Sequence, residues 1–181
     1  MGNFYFAGVI SRIILSWGKM KNKLLSVAFE PRPNTIIRDI DNENDSAVVI
    51  NNKKKYPFEL LNGLDVLIET EKFNFSFTIP EGYVWNGADI PKTLFLFGQS
   101  KDNNYLHASM VHDYMLEFKE DIYNDILNRS ISIKEYRRLT SLIFRQILKD
   151  EKTNVIKANV MAWCVDVFQG TFNKKQWECL K

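Results

Sequence analysis

Between Phe73 and Thr78 the chain alternates strictly, with Phe73, Phe75 and Phe77 set against Asn74, Ser76 and Thr78. Successive strand side chains point to opposite faces, so this period of two predicts a half-buried strand from Phe73 to Ile79. Leu64 to Thr70 is equally rich in aliphatic and β-branched residues, and Glu71-Lys72 between the runs predicts a hairpin turn. Pro80 and Gly82 end the second strand. Tyr83-Val84-Trp85 reads as one more short strand before the punctuation of Asn86-Gly87-Ala88-Asp89-Ile90-Pro91. Upstream, Pro31 and Pro33 break any helix. Thr35-Ile36-Ile37 and Ala47-Val48-Val49-Ile50 read as short strands around an acidic loop from Asp39 to Asp45, and Asn51-Asn52-Lys53-Lys54-Lys55 reads as a solvated turn.

The period then lengthens to that of a helix. Tyr105 to about Lys119 places Val111, Tyr114 and Phe118 on one face. Ser132 and Glu135 form a capping box that opens a helix to about Lys149, with Tyr136, Leu139, Ile143 and Ile147 as its buried stripe. Thr153 is the expected cap of a third helix that runs to Gln169 and stops at Gly170. Its residues Val155, Ile156, Met161, Trp163, Val165 and Phe168 leave only a narrow polar edge, which predicts a central helix with Cys164 in the core. Near the start, Phe6, Val9, Ile10, Ile13, Trp17 and Met20 recur on one helical face. The expected fold class is therefore α+β. A small antiparallel sheet in the N-terminal half packs against a cluster of about three helices in the C-terminal half, with an N-terminal amphipathic helix added. We divide the chain into residues 1–55, holding that helix and short strands, and residues 56–181, the α+β domain.

Composition narrows the function. The 181 residues are 45% apolar and 25% charged, enough for a real core, and 24 basic side chains against 22 acidic leave only +2. That balance argues against a dedicated nucleic-acid-binding protein. Two Cys without CxxC spacing exclude a disulfide scaffold and a Cys-based zinc ribbon. The opening run is too short to span a bilayer, and its lysines follow the apolar stretch, the wrong order for a signal peptide. Met1-Gly2 is not followed by the Ser or Thr of a myristoylation start, because Phe6 stands there. Residues 6–20 are expected to dock on the protein itself, on a partner protein or, less favoured, on a membrane surface.

The densest polar chemistry is the Asn86 to Pro91 bend and the pair His112-Asp113 within an apolar helix. Gly87 frees the backbone for a tight turn, and Asn86 and Asp89 can bond neighbouring amides. At about 100° per residue His107 and His112 lie near 140° apart, so they do not share one metal ion. A divalent metal, if bound, would take Asp89, His112 and Asp113; the same groups, with Asn86, suit general acid–base catalysis. Equally, a histidine in a polar network can be a structural latch. Ser109 lies on the His112 face, although a helix serine most often bonds its own backbone. Tyr83, Trp85, Phe95 and Phe97 are core residues or the lining of a pocket.

One ordered set of motifs adds to this. Ile79-Pro80-x-Gly82-Tyr83, then Asn86-Gly87-Ala88-Asp89-Ile90-Pro91, then Ala108-x-x-Val111-His112-Asp113-Tyr114 resembles the phage-associated family known as domain of unknown function 1353. Over about residues 56–178, the family pattern is P-x-G-F, T-D-G-A-S-I-P and an apolar helix with H-D. Here Asn86 stands for the family's Asp and Asp89 for its Ser, moving the carboxylate three positions along the bend. The resemblance implies phage or prophage provenance, hence the host cytoplasm or the virion, and supplies no reaction. Two readings follow: a small metal-assisted hydrolase, or a virion or assembly component whose Asp/His cluster is a latch. A third is a binder of a host small molecule.

Overall fold

The computed structural model describes residues 23–38, 47–87, 105–171 and 173–180. The helix expected over residues 6–20, together with Asp89, Phe95 and Phe97, lies outside the described residues. Six strands form two antiparallel three-stranded sheets. In the first, β4 (Leu64–Thr70) is the middle strand between β1 (Leu24–Glu30) and β5 (Asn74–Ile79). In the second, β3 (Phe58–Leu60) lies between β2 (Thr35–Ile37) and β6 (Val84–Trp85).

The hairpin forms where the alternation places it, with Leu64 opposite Ile79 and Glu69 opposite Asn74. Leu64, Val66 and Ile68 are fully buried on one face of β4, and Phe77 and Ile79 join them from β5. At the turn, the Thr70 hydroxyl donates to the Phe73 carbonyl at 2.5 Å and accepts from the Phe73 amide at 3.1 Å. β1 is a strand the local pattern does not announce. It pairs with β4 from Leu24 opposite Thr70 to Glu30 opposite Asp65.

Residues 47–55 are a correction. They form helix α1 (Ala47–Lys55) rather than a strand and a turn. β-branched propensity is a weak prior that tertiary anchoring overrides. The anchor here is Arg38, whose Nη1 donates to Asn52 Oδ1 at 2.8 Å and to the Tyr56 carbonyl at 3.2 Å.

The helical half comprises α2 (Leu106–Glu117), a short helical turn at Lys119–Asp121 running into a π-helical turn at Ile122–Ile126, α3 (Ile133–Asp150), α4 (Val155–Thr171) and a 3₁₀ segment (Lys174–Leu180). α3 begins at a complete capping box, with Glu135 Oε2 accepting from the Ser132 amide at 3.0 Å. Its stripe of Tyr136, Leu139, Ile143 and Ile147 is buried. α3 lies between α2 and α4 and also touches β1. The fold is thus α+β with two small sheets in place of one. Among the described residues no helix is long and apolar enough to cross a membrane.

α4 departs from expectation twice. Its cap is Asn154, whose Oδ1 accepts from the Ile156 amide at 2.9 Å, while the Thr153 hydroxyl is buried without a partner among the described residues. It is also not central: Val155 and Ile156 are more than half exposed, and Phe168 is 44% exposed. Nor does it stop at Gly170, which lies inside it. A Cβ on Gly170 would stand 1.6 Å from Arg137 Nη1, so the glycine clears a path for that guanidinium to reach the Asp166 carbonyl at 2.6 Å.

Candidate functional site

β6 sets one wall of the site. Trp85 packs inward, 1% exposed, against Phe58 at 5.7 Å between centroids, and the chain then turns outward at Asn86. Gly87 follows with φ at 85°, a conformation that an L side chain strains to adopt. Asn86 thereby stands exposed at the rim of a cavity of about 860 Å³. α2 supplies the facing wall through His112, Asp113 and Glu117. α3 adds Phe144, α4 adds Cys164 and Gln169, and Gln176 comes from the 3₁₀ segment.

His112 is 6% exposed. Its Nδ1 lies 3.5 Å from Asp113 Oδ1, within ion-pair reach, and its ring meets Phe144 edge-on at 5.6 Å. Nε2 is buried and has no hydrogen-bond partner among the described residues. The Asp113 side chain is about one-third exposed, so it keeps contact with solvent. Ser109 lines the same cavity, but its hydroxyl donates to the Leu106 carbonyl at 2.9 Å, as expected of a helix serine.

Three of the four expected site residues, Asn86, His112 and Asp113, therefore border one cavity. The fourth, Asp89, lies outside the described residues. Among the described residues no three His, Cys, Asp or Glu side chains are grouped to hold a metal ion. His112 and Asp113 bring one imidazole and one carboxylate to that cavity.

Tyr83 and Trp85, expected as core or pocket lining, both line the cavity, whereas Glu117, Gln169 and Gln176 have no local signal in the sequence. Tyr83 donates its hydroxyl to Glu117 Oε2 at 3.1 Å and stacks on Trp85, the two rings 8° from parallel and 6.3 Å apart. Burial first, and then the Glu117 and Asp113 charges, push the Tyr83 phenol far above its usual range, so it stays a donor at any physiological pH. Glu117 sits one helical turn after Asp113, a spacing that brings both carboxylates to one face. Gln169 and Gln176 meet across the far wall as a hydrogen-bonded pair. Cys164 is half-buried at the cavity rather than in the core, and burial pushes its thiol up to about 11.

His107 belongs elsewhere. It bonds Glu151 at the end of α3, away from the His112 cavity, in keeping with the angular separation of the two histidines.

No curated protein and no solved structure matches the chain. A family model does: it covers residues 60–165, more than half of the chain, inside the 56–178 span of the resemblance and across β4, β5, β6, α2 and α3. The protein accordingly belongs to the family described as Protein of unknown function (DUF1353).

Proposed function

We propose that the chain is a small hydrolase-type enzyme whose centre is the Asn86–His112–Asp113 cavity. One observation carries this reading: a buried histidine with a carboxylate 3.5 Å from Nδ1 and no partner for Nε2 among the described residues, on the wall of a cavity large enough for a small-molecule substrate. In that arrangement Nε2 takes a proton from water, the resulting hydroxide adds to the substrate's electrophilic centre, and the imidazolium returns the proton to the leaving group. Asp113 steadies the imidazolium, and Asn86 at the rim orients the substrate. A divalent ion at the same place would be held by His112, Asp113 and Asp89 and would lower the pKa of the attacking water. On the phage provenance that the resemblance implies, our reading puts this chemistry in an infected cell or on the virion.

The latch reading keeps one point in its favour, the edge contact of His112 with Phe144. A latch, however, satisfies both ring nitrogens, and among the described residues Nε2 has no partner.

The test is a panel of chromogenic esters, glycosides and phosphodiesters, with and without added divalent ions. Positioned acid–base groups contribute about 10²–10⁴-fold, so His112→Gln should lower turnover by at least ~100-fold while its melting curve keeps a single transition. A variant that melts several degrees lower yet retains full turnover moves His112 to the latch. Activity that survives chelation, on protein free of bound metal by elemental analysis, removes the ion.

A further inference from the structure

Lys134, Arg138, Arg145 and Lys149 of α3 fall within about 60° of one another at 100° per residue, a basic stripe along one side of the helix. All four are exposed or partly exposed. Two hydrogen bonds fix what lies beside them. Arg145 Nε donates to Asn159 Oδ1 at 2.5 Å, and Arg137 Nη1 donates to the Asp166 carbonyl at 2.6 Å. Two turns back along α3 thus match two turns forward along α4, an antiparallel register that sets Lys149 near Ile156 and Arg138 near Val167. Ile156, Asn159, Trp163 and Val167 share one side of α4, within about 80°. Ile156 is 59% exposed, Val167 37%, and Trp163 is partly exposed. None of them lines the His112 cavity, so this is a separate surface. Nearby acids are engaged: Asp166 lies 3.4 Å from Arg137, and Asp150 accepts from Gln146 at 2.9 Å. Lys134, Arg138 and Lys149 make no hydrogen bond or ion pair among the described residues. Burial first, and then the Arg145 charge one turn away, hold the Lys149 ammonium below its ordinary value. Crowded cations of this kind are relieved by an anion.

The neighbouring stripe selects the kind of anion. A nucleic-acid strand stacks its bases on successive aromatic rings, and this face has one ring between two aliphatic side chains. Aliphatic groups and an indole flanked by Lys and Arg suit a bilayer interface, where apolar groups enter the acyl boundary and cations stay with the headgroups. We propose that the α3–α4 face docks on an anionic lipid surface, by charge complementarity to its basic stripe and by insertion of Ile156, Trp163 and Val167. This contact is independent of the hydrolase reading.

The experiment sediments the full chain with phosphatidylcholine vesicles, with and without phosphatidylglycerol, and titrates it in parallel with a single-stranded oligonucleotide. The expected result is binding to the phosphatidylglycerol vesicles that weakens in high salt and is absent on pure phosphatidylcholine. The double variant Arg138→Glu/Lys149→Glu should bind at least about thirtyfold more weakly, and Ile156→Ser about tenfold. A cooperative melt shows that each variant folds, and should one not fold, the other carries the test. Absence of vesicle binding, equal binding to both lipids, or oligonucleotide binding alone overturns the proposal. So does undiminished vesicle binding by the folded variants, which moves the contact to residues 6–20. Turnover on the chromogenic panel judges the hydrolase reading separately, since no substituted residue lines the cavity.

Discussion

Thr153 and Asn154 stand side by side before α4 and face opposite energetics. Asn154 gives its side-chain oxygen to the first turn, whereas the Thr153 hydroxyl is buried with no partner among the described residues. Removing a buried, unpaired hydroxyl from an isosteric side chain recovers its desolvation cost. Thr153→Val is thus expected to raise stability by up to about 1 kcal/mol, and Asn154→Ala to lower it by about 1 kcal/mol, both read from urea midpoints. A loss in Thr153→Val would return the cap to Thr153. Gly170 presents a similar opposition. Alanine there gains about 0.5–1 kcal/mol of helix propensity, but it displaces the Arg137 guanidinium from the Asp166 carbonyl, a charged hydrogen bond worth about 1.5–3 kcal/mol. Gly170→Ala should be destabilising by about 1 kcal/mol net, and a stabilised variant would show that the guanidinium finds another partner.

Among the elements, what was legible had a local cause. The Ser132–Glu135 box and the stripe from Tyr136 to Ile147 are set within one helix, and the hairpin of β4 and β5 within sixteen consecutive residues. Ser132→Ala should cost about 1 kcal/mol, seen as a lower melting temperature, because the Glu135 amide loses its acceptor while the residue-132 amide keeps Glu135 Oε2. Other elements depend on distant partners. β1 carries no clean alternation and is made a strand by β4, some forty residues on. α1 looks like a strand until Arg38 ties it down. In α4 the run of apolar residues suggested a central position, but Val155, Ile156 and Val167 toward its two ends are exposed. A sequence tells which residues are apolar, and only the packing tells which of them find a neighbour.

At the scale of the molecule, the described part of residues 1–55 is woven into the sheets, with β1 bonded to β4 and β2 to β3. A chain beginning at Tyr56 strips β4 of one ladder and uncovers the α3 face beneath β1. It is expected to lose its cooperative thermal transition, and a sharp melt from that shortened chain would contradict the pairing. Alkaline behaviour is likewise collective. Burial raises the Cys164 thiol from 9.0 to about 11 and the Tyr136 phenol well above its normal range, so the folded state holds these protons more tightly than the unfolded one. Their stabilising effect is complete below about pH 9 and fades as pH climbs toward 11. The urea midpoint should fall across that window, and by less in Cys164→Ala. Site legibility follows the same division. His112-Asp113, the Asn86 bend and the neighbouring Tyr83 and Trp85 are compact motifs, whereas Glu117, Gln169 and Gln176 come together only because three helices and a sheet edge close on one space.

That closure has a practical result. The cavity is bounded by β6 on one side and by α2, α3 and α4 on the others, so any occupant fastens the second sheet to the helices. A compound present at a hundred times its dissociation constant adds about 2.7 kcal/mol to the folded state, several degrees of melting temperature for a chain of this size. The protein is its own assay: a thermal-shift screen of unlabelled metabolites can identify its natural cargo before any turnover has been observed.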